Sequence, residues 1–124
     1  MRVLIIDDSR ATRAILKRML AQLGFQAAEA ENGADGLSML AAIGNVDLVL
    51  VDWNMPTMNG FDFLQAARAD AKYAEVPIVM VTTETEISQM TRALEHGATE
   101  YIMKPFTLDV LRDKLALLGL VSTT

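Results

Sequence analysis

The chain alternates short apolar runs with longer segments of helical periodicity. The runs cover residues 2–6, 26–30, 47–51, 78–81 and 100–103. Most of them lack polar alternation, which is typical of strands buried on both faces, whereas the weaker run 26–30 is expected nearer a sheet edge. Strands that alternate with helices through short connections form a parallel sheet covered on both sides. The pattern therefore predicts an α/β fold, a doubly wound five-stranded parallel sheet of (βα)5 type.

The helical segments begin after capping residues and end at glycines. Ser9 and Thr107 are the predicted N-caps of the first and fifth helices, and Gly24 closes the first. The fourth helix is expected from about Glu86 to His96. Three stripes at helical spacing are expected to share one helix face each: Ala11, Ile15, Met19 and Leu23 in the first helix; Ile87, Met90 and Leu94 in the fourth; Leu108, Leu111, Leu115 and Leu118 in the fifth.

Composition narrows the class of protein. With 124 residues, of which 52% are apolar, the chain is long enough for one core, and we predict a domain over 1–120 with a tail at 121–124. The absence of cysteine excludes disulfides and thiolate chemistry. A net charge of −5 argues against nucleic-acid binding. No run has the ~20 apolar residues of a membrane span and no signal peptide is evident, so we expect a cytoplasmic protein without membrane contact.

Polar residues stand where the predicted strands end. Asp7 and Asp8 follow the first strand, Asp52 the third, Thr82 the fourth and Lys104 the fifth. Singly, each has an ordinary interpretation as a helix-capping acid, a β-branched strand end or a solvated cation. In a parallel sheet, however, these ends meet at one edge. Three carboxylates there repel one another and need a cation beyond one lysine, and oxygen ligands favour Mg²⁺.

This set of residues suits phosphoryl transfer. Asp52 would act as the nucleophile and form an acyl phosphate, while the metal and Lys104 neutralise charge on the phosphoryl oxygens. Neither Gly-rich phosphate-binding motif is present, so the phosphoryl donor is not a bound nucleotide. The single histidine, His96, is interpreted as a surface residue near the end of the fourth helix.

At this point the residues resemble a known family over essentially the whole chain. Asp7-Asp8, Asp52 within DWNMPTMNG, Thr82 in MVTTE and Lys104 in KPF resemble the receiver domain of bacterial two-component response regulators. The resemblance is greatest to the members that act in chemotaxis. It implies a flavodoxin-like sheet with strand order 2-1-3-4-5.

The resemblance also implies roles for individual residues. Asp52 would accept a phosphoryl group from a sensor histidine kinase or a phosphotransfer protein. Mg²⁺ would be bound by Asp52, by Asp8 directly, by Asp7 through water and by the backbone carbonyl of Asn54. Lys104 would pair with the phosphoryl group.

A second set of implied roles concerns switching. Thr82 would hydrogen-bond the phosphoryl group and shift inward, and Tyr101 would follow by changing rotamer. A partner face built from helix four, strand five and helix five would thereby change. Surplus apolar residues on helix five, Val110 and Leu117, fit such a face, although a wider buried stripe explains them equally well.

The remaining implied roles concern timing and the backbone. The peptide bond between Lys104 and Pro105 is expected to be cis. Asn54 and Glu84 would flank the route of attacking water and match a short-lived signal. Thr83 departs from the family, in which a very small residue usually follows the position of Thr82, and a β-branched residue there would narrow access to Asp52.

Alternative functions follow from the same residues. A receiver domain belonging to a larger regulator or phosphorelay, with transcriptional or enzymatic output, is one alternative. A Mg²⁺-dependent phosphatase is a second, although Asn54 stands where such enzymes usually carry a second aspartate. A binding module with an inactive pocket is a third. We expect no enzyme activity beyond self-catalysed phosphoryl acceptance and loss, and a monomer, with weak dimerisation on phosphorylation as the alternative.

Overall fold

Five parallel strands form one sheet in the computed structural model, which describes residues 1–121 apart from the side chain of Glu84. The strands are β1 (Arg2–Ile6), β2 (Gln26–Ala30), β3 (Leu48–Asp52), β4 (Ile78–Thr82) and β5 (Glu100–Met103). Their order is β2-β1-β3-β4-β5, with parallel pairing throughout. The predicted fold class and strand order are confirmed, and the weak second strand lies at an edge.

Within residues 1–121, each strand is followed by an α-helix: α1 (Arg10–Gln22), α2 (Gly33–Ile43), α3 (Gly60–Arg68), α4 (Met90–Glu95) and α5 (Leu108–Leu117). Side-chain caps start four of them, as at Ser9, whose hydroxyl accepts the Thr12 N–H at 3.1 Å. Two 3₁₀ helices, Ala71–Tyr73 and Glu84–Gln89, precede β4 and α4. No helix within residues 1–121 is long and apolar enough to cross a membrane.

The sheet separates two apolar clusters. Alternate residues of a strand enter opposite clusters: Val3 and Ile5 of β1 face one, and Leu4 and Ile6 face the other. Helices α1 and α5 cover the first cluster, whereas α2, α3 and α4 cover the second. The four inner residues of β1 and all of β3 and β4 are buried, which explains why those runs show no polar alternation.

The buried face of α1 differs from the predicted one. Leu16 and Leu20 are buried together with Arg13, whereas Ile15 is 53% exposed. The helix carries apolar residues at two adjacent rows, Ile15–Met19 and Leu16–Leu20, and spacing alone does not choose between them.

The fourth helix also departs from expectation. Its first half, Glu84–Gln89, is a 3₁₀ helix, so the α-helical part has only six residues. Met90 and Ala93 are buried there, whereas Leu94 is 42% exposed. Two buried positions three residues apart are enough to fix so short a helix on the sheet.

The predicted C-terminal boundary of the domain lies next to the last described residue. Val121, placed in the predicted tail, is partly buried and packs with Leu118 and Leu120 against the α1–α5 cluster. Residues 122–124 lie outside the described residues, so the boundary at 120 stays a prediction.

Gly60 determines how closely α3 approaches the end of β3. A Cβ atom at this position would clash with the carbonyl oxygen of Asp52. The Gly60 N–H donates to the Trp53 carbonyl at 3.0 Å. Only glycine permits this contact between backbones, which fixes the loop after β3 against the start of α3.

Candidate functional site

The polar residues that follow the strands meet at one edge of the sheet. Asp7 follows β1, Asp52 is the last residue of β3, Thr82 ends β4, and Lys104 follows β5. Carboxylate oxygens of Asp7, Asp8 and Asp52 lie within 4.8 Å of one another. The structure therefore brings together the side chains that the sequence predicted to converge.

Asp7 is held from two sides. It is 2% exposed, and its Oδ1 accepts the Ser9 N–H at 2.8 Å. Its backbone carbonyl accepts a hydrogen bond from Arg13 Nη1 at 2.6 Å. Arg13 in turn pairs through Nε with Glu29 Oε1 at 3.1 Å. The position of Asp7 thus depends on α1 as well as on β1.

Lys104 lies between two of the carboxylates. Its Nζ is 3.3 Å from Asp52 Oδ1 and 3.4 Å from Asp7 Oδ2. The Lys104 N–H donates to the Thr82 carbonyl at 2.6 Å, which holds the residue beside the end of β4. The peptide bond from Lys104 to Pro105 is cis, as predicted.

Asp52 holds its proton more tightly than a free aspartic acid does. Burial raises the pKa of Asp52 from 3.8 to about 6, helped by the negative charges of Asp7 and Asp8, and the ammonium of Lys104 offsets this only in part. For Lys104, burial lowers the pKa, but attraction by Asp52 and Asp7 prevails and the net direction is upward. The positive charge of one lysine thus does not compensate for the burial of Asp52.

The donor set fits a hard divalent cation. All three side chains offer oxygen ligands, which Mg²⁺ prefers, and Asp8 is exposed so that water completes a coordination shell. The raised pKa of Asp52 fits too, because a nearby cation would favour the ionised form that burial disfavours. Asp7, Asp8 and Asp52 are the groups that would hold the ion, and the part expected of the Asn54 carbonyl stays a prediction.

Comparison with known proteins identifies the family. The family model for the response regulator receiver domain matches residues 3–116 of the sequence. The chain belongs to this family. It is 44% identical over 116 residues to the chemotaxis protein CheY of Pseudomonas aeruginosa and 41% identical to CheY1 of Helicobacter pylori, covering 93% of this chain and 93% and 94% of theirs. The solved structure of CheY4 from Vibrio cholerae superposes with a TM-score of 0.86 at 33% identity, covering 94% of this chain and 96% of that one.

Thr82 and Thr83 of this receiver domain make different contacts. The Thr82 hydroxyl is buried and donates to the Thr83 carbonyl at 3.3 Å. The carboxylate of Glu86 accepts both the Thr83 N–H at 3.1 Å and the Thr83 hydroxyl at 3.0 Å. Thr83 thus starts the 3₁₀ helix Glu84–Gln89. The Glu84 side chain lies outside the described part of the structure, so its predicted tuning role stays a prediction, and Asn54 is exposed.

The face formed by α4, β5 and α5 carries apolar side chains in solvent. Tyr101 is half-buried, and Lys114 Nζ lies 5.0 Å from the centre of its ring. Val110 is 44% and Leu117 is 77% exposed, which favours a surface over a wider buried stripe. Around them, the large apolar residues exposed on the same three elements are Leu94 and Met103.

Two groups of contacts at the site were missed from sequence. No role was assigned to Arg13 from the sequence, yet it lies on the buried row with Leu16 and contacts Asp7. Its spacing of three before Leu16 was the available signal. The second group is aromatic. The ring centres of Trp53 and Phe61 lie 5.7 Å apart with their planes tilted, and the Arg92 guanidinium lies 4.4 Å from the Phe61 ring centre. Nothing in the spacing of these residues indicated it.

Replacing Asp52 by asparagine should stabilise the metal-free protein at pH 7.5. The folded-state pKa of Asp52, about 6, exceeds the unfolded value of 3.8. Ionised Asp52 therefore opposes folding above pH 6, and this cost is relieved as pH falls through 6 toward 3.8. We expect Asp52→Asn to raise the free energy of unfolding by about 1–2 kcal/mol at pH 7.5 and by much less at pH 4.5.

Urea unfolding in EDTA at both pH values measures this difference. Asp113→Asn is the matched control, since it removes an equal charge from an exposed position on α5, outside the cluster. A gain in stability that is the same at pH 4.5 and 7.5 would contradict the assignment of strain to Asp52.

Proposed function

We propose that this receiver domain is a signalling switch that accepts a phosphoryl group on Asp52 in a Mg²⁺-dependent reaction. The observation that carries the proposal is the placement of one buried carboxylate beside a lysine and two further aspartates. Asp52 ends β3, where it lies opposite Val81 of the neighbouring strand β4. Its neighbour Trp53 continues the pairing, donating to the Val81 carbonyl at 2.9 Å.

The proposed step is a displacement at phosphorus. An Asp52 oxygen forms the new P–O bond, the P–N bond to the donor's phosphohistidine breaks, and its electron pair returns to the imidazole. Lys104 then shares its charge between the phosphoryl oxygens and Asp7, because it already lies within 3.4 Å of both carboxylates. Mg²⁺, when bound by the aspartates, supplies further positive charge to the phosphoryl oxygens.

The phosphoryl donor is a sensor histidine kinase or a phosphotransfer protein. An apolar groove beside Lys104 gives such a protein a surface next to the reacting group. The apolar residues lining the groove are Ile15, Leu16, Met19, Pro105 and Phe106. The exposure of Ile15, unexplained by the core, fits this use.

The output is a change in the surface of α4, β5 and α5 that a downstream protein reads. The Thr82 hydroxyl exchanges its hydrogen bond to the Thr83 carbonyl for one to the phosphoryl group. The half-buried Tyr101 side chain then changes rotamer and moves into the space that Thr82 has left. The relatives at 41–44% identity are chemotaxis proteins by name, which supports a role in chemotaxis. No contact with nucleic acid is proposed.

We propose that the chain catalyses only the gain and loss of its own phosphoryl group and does not act as an enzyme on other molecules. Asn54 stands two residues after Asp52, where it cannot donate a proton as an aspartic acid would. This argues against the phosphatase alternative. A monomer in the cytoplasm is the proposed state.

Acetyl phosphate with Mg²⁺ should label the wild type, and Asp52→Asn should lose the label. Asp47→Asn is the matched control, because Asp47 precedes the same strand at the opposite edge of the sheet, where its carboxylate accepts the Arg2 N–H. Acid-labile phosphate measured by mass spectrometry reads the result. Labelling of Asp52→Asn at the wild-type rate would contradict the site.

Beryllofluoride with Mg²⁺ should shift amide resonances of α4, β5 and α5 in the wild type. Thr82→Val keeps the volume of the side chain but lacks the hydroxyl, so we expect shifts near Asp52 to persist and shifts around Tyr101 to shrink. Two-dimensional NMR of both proteins measures this. Equal shifts around Tyr101 in both proteins would refute the proposed coupling.

Thr83→Ala should shorten the lifetime of the phosphorylated form. Removing the branched side chain beside Thr82 should widen the approach of water to Asp52. If this lowers the barrier to hydrolysis by about 1 kcal/mol, the phosphoryl group is lost roughly fivefold faster. Thr83→Ser separates the effects, since it keeps the hydroxyl bound to Glu86 and removes only the methyl. Loss of label over time is the measurement, and an unchanged rate in both variants would assign Thr83 to capping alone.

A further inference from the structure

Arg13 is a buried cation close to the acidic cluster. It is 8% exposed and reaches the cluster from α1. Its Nη1 donates to the Asp7 carbonyl at 2.6 Å and its Nε pairs with Glu29 of β2 at 3.1 Å. Burial of a guanidinium needs such partners, since an unpaired charge in the interior is strongly unfavourable.

The bond to the Asp7 carbonyl acts on a particular peptide unit. That carbonyl belongs to the peptide linking Asp7 to Asp8. A peptide is planar, so holding its oxygen fixes the orientation of the unit from which both carboxylates project. Ser9 restrains the same turn by donating its N–H to Asp7 Oδ1 at 2.8 Å.

We propose that Arg13 is a positioning residue for the cation site: it orients the Asp7–Asp8 peptide so that both carboxylates face the ion. The inference rests on the proposed function, which supplies the ion. Outer residues that orient metal ligands commonly contribute 10- to 100-fold in affinity, so we expect an effect of about tenfold. Glu29, tied to the other edge of the guanidinium, keeps Arg13 extended toward Asp7.

Positioning and charge predict opposite signs. A positive charge near the site repels Mg²⁺, so if Arg13 acted by charge alone, its removal would tighten binding. If it acts by orientation, its removal weakens binding despite the lost repulsion. Lysine keeps the charge but lacks the planar fork that bonds Asp7 and Glu29 together, so Arg13→Lys should also weaken binding.

The experiment titrates the purified protein with MgCl₂ and follows fluorescence of Trp53, the single tryptophan, which adjoins Asp52. Arg13→Gln should weaken the dissociation constant for Mg²⁺ about tenfold, and Arg13→Lys should weaken it as well. Arg10→Gln is the matched control, because Arg10 is an exposed arginine on the same helix. It should bind Mg²⁺ as tightly as the wild type or more tightly.

A second readout separates positioning from general stability. Urea unfolding with and without Mg²⁺ gives the stabilisation by the ion, which falls when affinity falls, whatever the metal-free stability. Glu29 is 36% exposed at its side chain and keeps Lys17 at 3.7 Å, so it tolerates the loss of Arg13. Should Arg13→Gln not fold, Arg13→Lys and Glu29→Gln carry the same test.

Two failures are distinguishable. Wild-type affinity, or tighter binding, in both Arg13 variants would overturn the positioning role while leaving the cation site intact. Absence of any Mg²⁺ response in the wild type would overturn the cation site of the proposed function itself.

Discussion

Burial of neighbouring carboxylates at one edge of the sheet is the constraint on which the site depends. Parallel strands deliver Asp7 and Asp52 to one place, and both are almost fully buried. The cost comes chiefly from burial, which raises the pKa of Asp52 to about 6, and the ammonium of Lys104 offsets it only in part. Under the proposed function, a cation bound among the carboxylates would supply the positive charge that stabilises the ionised form of Asp52. The buried carboxylate that lowers the stability of the metal-free protein is thus the same group that a cation would stabilise.

Most of the fold could be predicted because it depends on strong local signals. Apolar runs without alternation marked β1, β3 and β4, and Ser9, Asn32 and Thr107 cap helices as their residue types suggest. The convergence of strand ends followed from topology alone. Pattern was weaker where two apolar rows competed, as at Ile15 and Leu16.

What escaped prediction depends on distances through space. Arg13 lies 16 positions from Glu29 in the chain, and only the pairing of β1 with β2 brings them together. Leu94 is exposed in a helix whose first half is a 3₁₀ helix. The spacing of apolar residues does not distinguish a 3₁₀ start from an α-helical one. Thr83 illustrates a third case, since its partner Glu86 is local but the effect of its side chain on access to Asp52 depends on the whole edge.

The 3₁₀ helix Glu84–Gln89 has a consequence for local stability. Hydrogen bonds of a 3₁₀ helix are poorer in geometry than those of an α-helix, and the side chains of Thr85, Ser88 and Gln89 are exposed. Such a segment opens at a small fraction of the global unfolding free energy, and its amides exchange with solvent sooner than those of β4. We therefore expect the segment that directly follows Thr82 to be less protected than β4, so that it rearranges without opening of the core.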